Sequence, residues 1–159
     1  MKSRKAFPEH PRRLAFIHQK YFAPLYFVTF CTHDRRRILA IDPVFDAFVA
    51  FAVRAAERSI AVGRFVIMPD HVHLFVRLNL EMRLGPWIAS LKQTLARVGG
   101  HVRSGGRIWQ EGFFDHVLRN DESYGRKWEY VRQNPVRAGL VADSDDWPFQ
   151  GEIVPIDRA

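Results

Sequence analysis

Two histidines one residue apart inside an apolar run, Met68-Pro69-Asp70-His71-Val72-His73-Leu74-Phe75-Val76, constrain this chain more than any other segment. The run reads as a buried β-strand, in which residues i and i+2 point to the same face. His71 and His73 therefore lie side by side, while Val72, Leu74 and Val76 point the other way, into a core. Two imidazoles held in parallel on a rigid strand can grip one metal ion or one phosphate. A strand can equally carry two satisfied polar residues on its wetter face, and the short pattern leaves both readings open.

The segments around that strand set its context. Leu25 to Thr32 is dense in β-branched and aromatic residues and predicts a strand. Asp42-Pro43 reads as an N-cap followed by proline at the first helical position. Phe45, Phe48, Val49, Ala52, Val53 and Ala56 then recur at helical spacing over 43–58. A strand over 60–68, the Pro69-Asp70 turn and a strand over 71–78 predict an antiparallel hairpin. Leu84, Trp87, Ile88, Leu91, Leu95 and Val98 mark a second helix over 83–98, which Gly99-Gly100 can end. A strand over 113–118 and a helix over 122–133 follow, the helix stopped by Asn134-Pro135 because the residue before proline is pushed out of α geometry. The order β-α-β-β-α-β-α predicts an α+β fold. Its expected form is a ferredoxin-like split β-α-β antiparallel sheet with helices on one face and a C-terminal helix bearing Tyr130. The opposite face, carrying His71 and His73, would be open for binding.

Charge narrows the function classes. The chain is 159 residues long with a formal net charge of +7. Residues 1–37 hold nine Lys or Arg against Glu9 and Asp34, so the whole excess lies there. A concentrated positive field suits a polyanion such as nucleic acid, although a solubilising basic tail has the same composition. We divide the chain into a basic segment, 1–20, and one domain, 21–159. A lone cysteine, Cys31, read as a buried strand residue, cannot form an internal disulfide and fits a reducing cytoplasm. No apolar run approaches the roughly 20 residues of a membrane span, and no signal peptide or ATP-binding P-loop is evident.

The helix over 122–133 supplies a second group of chemistry-bearing residues. Tyr130 and Asn134 are four apart, hence neighbours on one helix face. If that face lies over the open side of the sheet, a phenol and an amide oxygen meet two imidazoles. A helix tyrosine that only packs and an asparagine that only caps remain the plain alternatives.

The His-Val-His strand together with Tyr130-x-x-x-Asn134-Pro135-Val136-Arg137-Ala138-Gly139-Leu140-Val141 resembles the single-tyrosine HUH transposases. More narrowly, the chain is similar to the REP-associated tyrosine transposases, relatives of small insertion-sequence transposases. Met68-Pro69-Asp70, Trp109-Gln110-x-Gly112-Phe113-x-Asp115-His116-x-x-Arg119 and Asp146-Trp147-Pro148 extend the likeness over about residues 12–150.

The resemblance implies a site-specific single-stranded DNA endonuclease and strand transferase acting on hairpin-containing repeat or insertion-element ends. Tyr130 would be the catalytic nucleophile, leaving a 5′-phosphotyrosine and a free 3′-hydroxyl. His71, His73 and Asn134 would hold a divalent cation, Mg²⁺ or Mn²⁺, with Gln133 as the reserve ligand if the helix is rotated. A tyrosine phenol ionises near pH ~10, so a cation that lowers the cost of phenolate and of charge on the phosphoryl oxygens suits the chemistry. Arg12, Arg13, Arg35, Arg36, Arg37, His116, Arg119 and Arg137 are the expected DNA contacts, with His116 and Arg119 alternatively bracing the tyrosine helix. Lys92 reads as a surface residue. Tyr124 is a rival nucleophile by residue type, but Trp128 stands where an amide would be needed. The partner would be single-stranded DNA with a hairpin, no membrane is involved, and a homodimer is left open. The rival functional reading is a non-catalytic single-stranded nucleic-acid-binding module built on a ferredoxin-like sheet.

Overall fold

The computed structural model describes residues 23–99, 106–118 and 121–156. Strands β1 (Leu25–Cys31), β2 (Ala61–Ile67), β3 (His71–Arg77), β4 (Phe114–Leu118) and β5 (Gln150–Glu152) form one sheet in the order β4-β1-β3-β2-β5. All neighbouring strands are antiparallel. Helices α1 (Asp42–Glu57), α2 (Leu84–Val98), α3 (Asp121–Arg132) and α4 (Asn134–Arg137) complete the described elements. The first four strands and their two crossover helices make the expected ferredoxin-like arrangement, α+β in class.

Alternation on β3 sorts the two faces. Val72, Leu74 and Val76 are fully buried and join the core beneath α1 and α2. Phe48 of α1 lies 4.4 Å from Phe65 of β2, and Phe51 meets Trp87 of α2 at 5.5 Å, so both long helices cover this face. Each such side chain contributes roughly 1.5–3 kcal/mol by leaving water. His71, His73 and Phe75 point to the other face, where α3 lies: the Tyr124 ring is 4.6 Å from the Phe75 ring, edge-on. The face expected to be open is thus covered along part of its length by the tyrosine helix itself.

Several local expectations need correction. The N-cap of α1 is Ile41, not Asp42, and no side chain caps it; Asp42 instead places a carboxylate in the first turn, favourable at the positive end of the helix dipole. Gly99 does end α2 as expected, with an ordinary negative φ of −82°, and Gly100 lies outside the described residues. Asn134-Pro135 does not end the helical path. The chain breaks at Gln133 and resumes as α4, with proline in its first turn, where its missing N–H costs nothing. Strand β5 was not expected; three residues are too few to show alternation, and it exists because it pairs with β2. Cys31 is half-buried rather than buried.

Candidate nucleic-acid cleavage site

The histidine pair sits where β1 and β3 run side by side. Thr29 is the register partner of His73, and Cys31 that of His71. The imidazole rings are 4.7 Å apart and nearly perpendicular, at 81°. His73 stacks on Phe27 at 5.4 Å, and its Nδ1 lies 2.7 Å from Thr29 Oγ1. His71 Nδ1 lies 2.7 Å from Asp70 Oδ1. An ionised carboxylate only accepts, so this contact places the proton on Nδ1 and leaves Nε2 with a free lone pair. The Thr29 hydroxyl can accept from His73 Nδ1 in the same way.

Electrostatics keep both rings neutral. Burial pushes the His73 pKa down to about 3, helped by the nearby charges of Lys127, Arg137 and Arg35. Burial also lowers His71, against the opposing pull of Asp70. Burial would raise Asp70, yet hydrogen bonds from Arg35 and His71 outweigh it and hold the carboxyl below its usual range. Neutral imidazoles are the form that ligates metal.

The turn that follows β1 secures Asp70. Arg35 Nε donates to Asp70 Oδ2 at 2.8 Å, and Arg35 Nη1 reaches Cys31 Sγ at 3.4 Å. Asp34 and Arg35 adopt left-handed φ values of 55° and 52°, a conformation unfavourable for residues with a Cβ. The buried Thr32 holds this turn, its Oγ1 donating to the carbonyls of Arg36 at 2.8 Å and of Asp70 at 3.1 Å.

Next to His71 opens a cavity of about 310 Å³, lined among others by Arg35, Arg37, Asp70, Asn134 and Arg137. The fold therefore brings Asn134 from α4 to the same cavity as His71 from β3. Gln133, the reserve ligand, is turned toward the Ser144–Asp146 turn, with Nε2 3.4 Å from Ser144 Oγ. Among the described residues no cluster of three or more His, Cys, Asp or Glu could hold a metal ion. A set of two imidazoles and one amide oxygen, without thiolate or carboxylate, would suit a borderline divalent ion such as Mn²⁺ with waters completing its shell.

Tyr130 is 63 % exposed at the end of α3, and the Arg137 guanidinium lies 4.1 Å from its ring centroid. Tyr124 is buried on the sheet side of the helix, its hydroxyl accepting from the Arg64 backbone N–H at 3.3 Å, which places it outside the site. Arg35, Arg37 and Arg137 line the cavity, whereas Arg36 does not. His116, the register partner of Phe27, lies exposed on the histidine face of edge strand β4. Arg12, Arg13 and Arg119 lie outside the described residues. Lys92 is not a free surface residue: its Nζ donates to the backbone carbonyls of Gln110 and Gly112 and braces the segment before β4. Sequence reasoning passed over Thr29 and the hold that Arg35 keeps on Asp70; only the register between β1 and β3 discloses the first. It also passed over Phe114, 76 % exposed on the histidine face, where an exposed aromatic can stack on a base.

The family model described as "Transposase IS200 like" matches residues 20–134 of this chain. The chain belongs to the IS200-like transposase family. A Haemophilus influenzae protein, provisionally named a REP-associated tyrosine transposase, is 28 % identical over 156 residues, covering 84 % of this chain and 86 % of that protein. An Escherichia coli protein named REP-associated tyrosine transposase is 30 % identical over 98 residues, covering 58 % of this chain and 54 % of its own. The fold matches a solved REP-associated tyrosine transposase bound to a REP hairpin, with a TM-score of 0.66 at 20 % identity, covering 94 % of this chain and 81 % of the other. Among the described residues no helix is long and apolar enough to cross a membrane.

Proposed function

We propose that this IS200-like transposase cleaves and rejoins single-stranded DNA beside a hairpin, using Tyr130 as the nucleophile. The convergence of His71 and Asn134 on one arginine-lined cavity, with His73 beside them, is the observation that carries the reading. His71, His73 and Asn134 would hold a divalent cation, Mg²⁺ or Mn²⁺. When bound, it supplies a Lewis acid for the scissile phosphate.

The residues of the chain perform the rest. Asp70 and Thr29 orient the two imidazoles, and Arg35 keeps Asp70 ionised and in place. Arg37 and Arg137 attract the phosphate backbone into the cavity. Tyr130 loses its phenolic proton to solvent and its oxygen forms a bond to phosphorus. The bond from phosphorus to the 3′-oxygen breaks, and that oxygen takes up a proton as the free 3′-hydroxyl. Phosphodiester energy is stored in the 5′-phosphotyrosine, so an incoming 3′-hydroxyl can reverse the step and rejoin a strand without ATP. The solved relative bound to a REP hairpin supports a hairpin-bearing DNA as partner.

Incubation with single-stranded DNA bearing a REP hairpin, with Mn²⁺ or Mg²⁺, should yield a protein–DNA adduct that survives denaturing electrophoresis. Tyr130→Phe should abolish it, and chelation should too. An adduct that persists in Tyr130→Phe would sink the nucleophile assignment. Binding without an adduct in wild type would favour the non-catalytic module.

A further inference from the structure

We infer that Arg137 is a positioning residue for the nucleophile, holding the Tyr130 ring by stacking beside the cavity that His71 and Asn134 line. The inference rests on the proposed role of Tyr130 and goes beyond it, since it assigns Arg137 to the protein's own phenol rather than to DNA alone. Tyr130 is 63 % exposed, so core packing does little to select its rotamer. An exposed phenol left to itself spreads over several staggered positions, most of them unsuited to attack on a phosphate. The Arg137 guanidinium sits 4.1 Å from the ring centroid, well inside the ~6 Å range of cation–π attraction, and its planar form suits stacking.

The backbone under Arg137 is itself fixed. In α4 and just beyond it, the Arg137 N–H donates to the Gln133 carbonyl at 2.9 Å, and the Ala138 N–H to the Asn134 carbonyl at 2.9 Å. Leu140 N–H returns to the Pro135 carbonyl at 2.9 Å, a path that needs the left-handed φ of 71° at Gly139. Buried Pro135 anchors the turn. Asn134 and Arg137, three apart, lie on one face of this short helix. Both line the cavity with His71, and the Arg137 charge reaches His73. One rigid turn therefore sets the amide at the ligand cavity and the cation over the nucleophile's ring, in fixed relation to each other.

Two measurements on the full chain test this. The first needs no DNA: with ring-¹³C-labelled tyrosine, the Tyr130 resonances are assigned by their absence in Tyr130→Phe. Arg137→Lys and Arg137→Gln should move them toward the positions of a free exposed tyrosine, more so in Gln. Unchanged Tyr130 resonances in both variants overturn the inference. The second follows adduct formation in single turnover at saturating hairpin DNA with Mn²⁺, alongside the DNA Kd and its salt dependence. Arg137→Gln should slow the saturating rate about five- to tenfold, over and above any weakening of Kd from the lost charge, and Arg137→Lys, which keeps a cation over the ring, should recover part of the rate. A wild-type saturating rate with weakened Kd and a flatter salt slope makes Arg137 a phosphate ligand and overturns the positioning role. An adduct surviving in Tyr130→Phe overturns the nucleophile reading, and this one with it, whereas a failure confined to the Arg137 variants leaves that reading intact. Melting temperatures identify a variant that no longer folds. If Arg137→Gln is one, Arg137→Lys decides by the same resonance and rate criteria.

Discussion

His73 shows how one residue can carry both a stability cost and a chemical purpose. Its ring stacks on Phe27 and meets the neighbouring histidine edge-on, with Thr29 as its polar partner, so little water is left to solvate a charge. The folded pKa of about 3 lies below the ordinary 6.5 of the unfolded chain. Between those values the unfolded state binds the extra proton, so stability is fully present above pH 6.5 and is lost as pH falls toward 3. Urea unfolding measured from pH 7.5 down to pH 4.5 should show that decline, and His73→Gln should make it shallower. Equal slopes for the two proteins would contradict the burial argument. At this scale the sequence already marked His71, His73, Tyr130 and Asn134 as unusual. It could not show that Asp70 and Thr29 set the imidazole protons, because those contacts depend on a carboxylate's rotamer and on the pairing of two distant strands.

At the scale of elements, the docking of α3 decides the shape of the site. Tyr124 and Trp128, four apart, face the sheet, where the Arg64 guanidinium lies 5.6 Å and 5.4 Å from their rings and Phe75 packs against both. Tyr130 consequently emerges at the exposed side. The close approach depends on Gly63 of β2, where an added Cβ would stand 2.6 Å from Ile156 Cδ1 and 2.9 Å from Tyr124 Oη. Gly63→Ala should destabilise the protein by about 1–3 kcal/mol, since the rigid phenol must shift with its helix. Denaturant unfolding measures this, and an unchanged midpoint would mean that the C-terminal segment yields freely. Periodicity located α1 and α2 to within a residue because each buries one continuous apolar stripe, whereas α3, mostly polar, was bounded by the Asn134-Pro135 stop. It missed β5 and the resumption of the helix at Asn134, where a strand pairing and a proline tolerated in a first turn override the local signal.

For the molecule as a whole, charge and topology make separate contributions. Six of the Lys and Arg residues stand in positions 1–20, Arg12 and Arg13 among them. If they meet phosphates, deleting residues 1–20 should weaken binding of hairpin DNA. It should also flatten the salt dependence, by about 0.7 in log–log slope for each single-strand phosphate that those residues neutralise. An equal slope in a salt titration of both proteins would assign those residues to solubility alone. The order of the first four strands and three long helices, the buried faces of β3, α1 and α2, and the chemistry-bearing residue types were determined by the amino-acid sequence by itself, because alternation and helical periodicity report which side chains must leave water. Which of those residues meet was decided only by the tertiary structure. The cavity that joins His71 to Asn134, and the stacking of Arg137 on Tyr130, depend on how α3 crosses the sheet and where the chain turns at Gln133. Elements so far apart in sequence meet without any local pattern to announce it.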